Sequence, residues 1–147
     1  MTISVLEMTP GRAAQTVLEE HADDPEWLDA FAATLERRRR GAALARILEV
    51  WDLSRSEAGR RFGVSRQAVS KWLIKGVPAD RVEAIGDLAA ATDLLVRYLQ
   101  RDRIAAVVRR PAPALGDRSL LDLLGRGDHR EVLEAVRAMF DFAGVHS

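Results

Sequence analysis

Leu53-Ser-Arg-Ser-Glu-Ala-Gly-Arg-Arg-Phe-Gly63-Val-Ser-Arg-Gln-Ala-Val-Ser-Lys-Trp72 decides the fold of this chain. Ser54 and Glu57 have the S-x-x-E spacing in which a hydroxyl and a carboxylate satisfy orphan backbone donors, so a helix begins near Arg55. It can run only to Phe62. Gly63 supplies the permissive backbone of a tight turn, Val64 is an apolar plug, and Ser65 is a second N-cap. The next helix spans Arg66 to about Leu73 and ends at Lys75-Gly76, a cation at the negative helix end followed by a residue suited to the left-handed cap. Two helices joined by so short a turn cross steeply, which demands small residues at the contact. Ala58 and Gly59 provide them, and Phe62, Val64, Val69, Trp72 and Leu73 fill the wedge. Ser65, Arg66, Gln67, Ser70 and Lys71 are left on the outer face of the second helix.

This stretch resembles the helix-turn-helix of the Xre/Cro repressor class, departing from it at Gly59, where Ala is usual. The resemblance implies that the second helix enters the DNA major groove with its N-terminal side chains against base edges. Gln67 can pair with adenine N6 and N7, and Arg66 or Lys71 with guanine O6 and N7. Ser65 and Ser70 suit bases or phosphates. Arg55, Arg60 and Lys75 are assigned to phosphates, which set register and affinity without reading sequence. The competing reading is a helical hairpin whose cations form a solvated face.

Charge supports the first reading once it is resolved along the chain. The 147 residues carry 22 Lys+Arg against 22 Asp+Glu, and a net charge of zero at face value argues against a phosphate-rich partner. Residues 1–50, 51–110 and 111–147, however, carry −3, +5 and −2. Arg55 to Lys75 holds six cations and one anion, so the whole surplus lies in this segment. Disulfides, Cys-ligated metal sites and thiol chemistry are excluded because there is no Cys. The longest uninterrupted apolar run, Ile104 to Val108, is far short of a bilayer span, and no cationic stretch leads into an apolar one at the N-terminus. A cytoplasmic protein with no membrane partner is expected.

Periodicity elsewhere is helical, which predicts an all-α helical bundle. Residues 1–24 read as a lead-in and a short helix, Arg12 to His21. Asp24-Pro25 opens a helix carrying Trp27, Phe31 and Leu35 and then Leu44, Ile47, Leu48 and Trp51, with Gly41 as a place where it can break. Arg37 to Arg40 advance by about 100° per residue, so at most two could face one DNA strand; a Glu36–Arg40 pair on a solvated helix is the alternative. A long helix is expected from Asp80 to Arg110, interrupted if anywhere at Arg101 to Arg103. Its stripe Val82, Ile85, Ala89, Thr92, Val96 and Leu99 serves either as a homodimer seam or as packing against the N-terminal helices. Pro111-Ala112-Pro113 ends it and separates residues 25–110 from residues 111–147. Two short helices follow, Leu120 to Leu124 and about His129 to Phe142.

The segment with Leu115-Gly116, Leu120 to Leu124, Gly125 to Gly127 and an amphipathic helix from Val132 is similar to the C-terminal toxin-binding region of the Xre/MbcA/ParS-type antitoxins. Ser119-Leu120 departs from the Thr-Pro or Ser-Pro common there. This resemblance implies a C-terminal helical toxin-binding subdomain, with contacts from Arg118, Ser119, Leu120, Leu123, Leu124, Phe140 and Phe142. It implies an antitoxin that covers a RES-domain, NAD-consuming toxin and represses its own operon by binding operator DNA as a dimer. The apolar residues of the two short helices exceed what they can hide alone; the alternative is that they close the chain's own core. His21, His129 and His146 are scattered, and Asp122, Asp128 and Glu131 suit caps and solvated faces, so no catalytic residue, metal site or cofactor is expected. Two further readings are a plain dimeric Xre-type transcriptional regulator without a toxin partner and an adaptor that has lost DNA binding.

Overall fold

The structure, a computed structural model, describes the backbone of residues 8–145 and the side chains of residues 8–141. Phe142's side chain and His146 therefore lie outside the described residues. The fold is all-α. Among the described residues, β-structure is limited to one isolated bridge between Ala112 and Arg118. The helices are α1 (Pro10–Glu20), α2 (Pro25–Trp51), α3 (Arg55–Phe62), α4 (Arg66–Lys75), α5 (Val82–Tyr98), α6 (Arg101–Arg109), α7 (Leu120–Gly125) and α8 (His129–Val145). They form two compact units, residues 1–36 and 37–147.

In the first unit the Thr9 hydroxyl accepts from the Arg12 amide, with Pro10 at the start of α1. Asp24 likewise accepts from the Trp27 amide at the start of α2. The His21 ring stacks on Trp27 with centroids 3.5 Å apart, and Trp27 stacks on Phe31 at 5.0 Å. No residue of α1 is buried.

The second unit holds the core. Leu44, Ile47 and Trp51 of α2 meet Ala58 and Phe62 of α3, Val69 and Trp72 of α4, Leu88 and Leu95 of α5, and Ile104 and Val108 of α6. α2 does not break at Gly41. There the missing side chain lets α2 approach the backbone of α4, because a Cβ at Gly41 would lie 2.8 Å from the Leu73 carbonyl oxygen. The Trp51 indole N–H donates to the Thr92 hydroxyl at 2.9 Å, which in turn donates to the Leu88 carbonyl at 2.7 Å; both side chains are fully buried, so each polar group there has a partner. Arg109 of α6 caps the C-terminal end of α2 by donating to the carbonyls of Trp51 and Asp52.

The expected long helix over 80–110 is two helices. Leu99 and Gln100 are extended, with ψ of 152° and 135°, and this turn brings Ile104 and Val108 back onto the core that a straight continuation would carry them away from. The buried line of α5 is Ile85, Leu88, Ala91, Thr92 and Leu95. Its main neighbour is α8, and Thr92 also meets Trp51 of α2, so this face packs within the chain, against the C-terminal helix as well as an N-terminal one. Pro111 stops α6 as expected, but the core continues past it: α7 packs on α3 and α6, and Val132, Leu133 and Val136 of α8 are buried.

Candidate functional site

The pair α3 and α4 is built from its caps. The Ser54 hydroxyl accepts from the Glu57 amide at 3.0 Å, and the Ser65 hydroxyl accepts from the Ala68 amide at 3.0 Å. Glu57 does not complete a reciprocal box, since its carboxylate is turned toward Arg109 at 3.7 Å. Gly63 is left-handed at φ 70°, and the Val64 amide donates back to the Gly59 carbonyl at 2.8 Å, which closes the turn. A Cβ at Gly59 would lie 2.7 Å from the Val64 carbonyl oxygen, so the absence of a side chain sets how tightly the turn folds onto α3. Phe62 meets Trp72 edge to face at 6.2 Å. Arg81, absent from the sequence expectations, donates to the Phe62 carbonyl at 3.0 Å and covers the Trp72 ring at 5.4 Å; its position just after Pro78 gave no local signal of this.

Of the residues expected to face DNA, Arg55, Arg66, Gln67, Lys71 and Lys75 are exposed and Ser70 is half-buried. Arg55 donates to the Ser70 hydroxyl at 3.1 Å, so the start of α3 and the outer face of α4 form one surface. Ser65 lies at its edge with its hydroxyl acting as a cap. Ile74, 75% exposed and one turn beyond Ser70 and Lys71, completes this face with an apolar group; spacing from Gln67 could have revealed it. Arg60 is also exposed but lies elsewhere. It is five residues from Arg55, about 140° round the helix, and points away from the α4 surface.

Arg60 instead lines a cleft of about 540 Å³ with Arg61, Arg118, Asp122, Gly125 and Arg126. Ser119 and Asp122 form a complete capping box at the start of α7, with the Ser119 amide donating to Asp122 at 2.9 Å and the Asp122 amide to Ser119 at 3.0 Å. The Ser119 N–H bond holds the Asp122 carboxyl below the usual carboxylate range, with the Ser119 hydroxyl and Arg61 adding to it. Ser119 is thus a buried structural residue rather than a surface contact. Leu120, Leu123 and Leu124, expected at a partner surface, are also buried, because α7 is pressed onto α3 and α6. Phe140 is half-buried and stacks on Tyr98 at 4.6 Å. An apolar groove of about 450 Å³ opens beside α8 between Leu115 and Met139.

His129 opens α8 with its Nδ1 buried and without a hydrogen-bond partner, its ring 6.0 Å from Phe62. Burial and the nearby Arg81 depress its pKa, against the pull of Asp87 and Asp128. Among the described residues no His, Cys, Asp or Glu cluster could hold a metal ion, and no helix is long and apolar enough to cross a membrane.

No protein-family model matches the chain, and no curated protein matches it. Its backbone is similar to a chain in the crystal structure of the M. tuberculosis MbcT–MbcA toxin–antitoxin complex. The shared feature is the fold, which is like that of a chain found in a toxin–antitoxin complex. The two chains share 26% identity with a TM-score of 0.55, over 67% of this chain and 91% of that one.

Proposed function

We propose that this protein is an antitoxin of the Xre/MbcA/ParS type, a non-enzymatic regulator that neutralises a RES-type, NAD-consuming toxin and represses its own operon from the cytoplasm. The observation that carries the reading is the similarity to a chain of a toxin–antitoxin complex, joined to the exposed face of α4. In this reading α3 and α4 are a helix-turn-helix. Gln67, Arg66 and Lys71 read bases, Ser70 and Arg55 approach as a hydrogen-bonded pair, Lys75 meets phosphate, and Ile74 offers an apolar contact for a thymine methyl group. Paired half-sites call for a homodimer, whose seam lies outside the buried face of α5.

The toxin-binding role stays with the C-terminal region, but its working surface is Arg118 and the exposed side of α8 rather than the α7 leucines, which hold that surface in place. Burial of Leu120, Leu123 and Leu124 gives some weight to a second reading, a plain dimeric Xre-type transcriptional regulator whose last helices only close its core. A cut at residue 110 would separate α5 from α8, so the test uses the full chain. Binding of its own promoter DNA is measured by fluorescence anisotropy, and binding of the neighbouring gene's product by calorimetry. Binding to both supports the antitoxin; binding to DNA alone supports the regulator; binding to neither overturns both.

A further inference from the structure

The arginine cleft between α3 and α7 is not accounted for by DNA reading or by the core. Four arginines surround one carboxylate in it. The guanidinium groups of Arg60 and Arg118 make no ion pair or hydrogen bond among the described residues, and Arg126 makes only a 4.0 Å contact with Asp128. Arg61 is different in kind. It is half-buried, donates to the Leu121 carbonyl at 3.3 Å and lies 3.7 Å from Asp122, which fixes one wall of the cleft. Gly125 lies on the floor beside the Arg61 stem, which a Cβ there would meet at 3.4 Å, an ordinary contact. The bridge between Ala112 and Arg118 ties down the loop that carries Arg118.

We propose that this cleft receives an acidic segment of the protein toxin, whose carboxylates form forked hydrogen bonds with Arg60 and Arg118 while Arg126 closes the far side. The inference rests on the proposed antitoxin role and gives its partner a chemistry. A protein segment fits better than a nucleic-acid backbone for two reasons. Arg60 is turned about 140° from Arg55, the residue that belongs to the α4 surface, so a duplex engaged by α4 does not run along the cleft. Asp122 sits among the arginines as an anion already committed to the Ser119 cap; it repels a densely charged phosphate run but can be passed by spaced carboxylates.

The test is heteronuclear NMR of the full chain, following the arginine Nε–Hε signals. The probes are an acetylated, amidated peptide with spaced carboxylates, Glu-Gly-Ser-Glu-Gly-Ser-Glu, and, separately, a promoter duplex. The peptide should shift Arg60 and Arg118 saturably, and Arg60→Gln/Arg118→Gln should weaken its binding at least tenfold while leaving the amide spectrum folded. Gln67→Ala/Lys71→Ala should leave peptide binding within twofold of the unsubstituted chain. Equal shifts at the outlying Arg101 and Arg137 would reduce the cleft to general surface charge and overturn the proposal. Shifts of the cleft arginines by the duplex would reassign it to nucleic acid and overturn it too. The duplex reports on α4 and the peptide on the cleft, so failure of the DNA reading and failure of this inference are distinguishable.

Discussion

Gly41→Ala and Gly86→Ala are the same substitution inside two long helices, and the structure gives them different outcomes. Each should gain about 1 kcal/mol from helix propensity, because alanine loses less backbone entropy than glycine. At Gly86 nothing else intervenes, since the residue is exposed and a built Cβ has no heavy atom within 4 Å. At Gly41 the Cβ falls 2.8 Å from the Leu73 carbonyl oxygen and 3.1 Å from that of Trp72. Both are backbone atoms, so α2 and α4 must move apart by roughly half an ångström to reach ordinary contact. Overpacking of that kind costs about 1–3 kcal/mol. Gly41→Ala should therefore range from neutral to about 2 kcal/mol destabilised, and the two variants should differ by about 1–3 kcal/mol. Urea unfolding at constant m reads this directly as a shift in midpoint. If Gly41→Ala stabilises as much as Gly86→Ala, the close approach of α2 to α4 is wrong.

Thr92→Val keeps shape but strands the Trp51 indole N–H in the core, and should cost about 1–3 kcal/mol by the same assay; Trp51→Phe in the same chain should recover part of the loss, and a neutral Thr92→Val would refute the role of the bond. His129 carries a depressed pKa, so the folded state binds its proton less readily than the unfolded chain does. Its contribution is present above the unfolded value near 6.5 and is lost as pH falls below it. Stability should drop from pH 7 to pH 5, and His129→Gln should flatten that slope; an unchanged slope would remove His129 as its source. On promoter DNA, Gln67→Ala should cost about 1–3 kcal/mol at a single base position, whereas Lys75→Ala should weaken specific and random duplexes alike. Equal losses on both duplexes from both variants would undo the division between reading and anchoring.

The elements of α3 and α4 were legible because their signals are local. Ser54, Gly63 and Ser65 each act through their own backbone or that of residues a few positions away, and the structure puts the caps and the left-handed turn where that spacing requires. What stayed hidden depends on contacts distant in sequence. The interruption expected, if anywhere, at Arg101 to Arg103 falls at Leu99–Gln100, which has no Pro or Gly to announce it, and its geometry is set by the pull of Ile104 and Val108 into the core. The surplus of leucines in α7 was visible, but which surface they meet was not, and it is the chain's own α3 and α6. Arg60 reads as one more cation in a basic run until α3 is placed beside α7; only then does it join Arg118, fifty-eight residues later, in one cleft.

The central claim is that one face of this chain contacts DNA and another restrains a toxin. Growth of bacteria producing the neighbouring gene's product, with this chain supplied in trans, tests it most directly. The unsubstituted chain and Gln67→Ala/Lys71→Ala should both restore growth, while Arg60→Glu/Arg118→Glu should not, although that variant still binds promoter DNA. Failure of the unsubstituted chain to restore growth, or equal rescue by all three, would contradict the account.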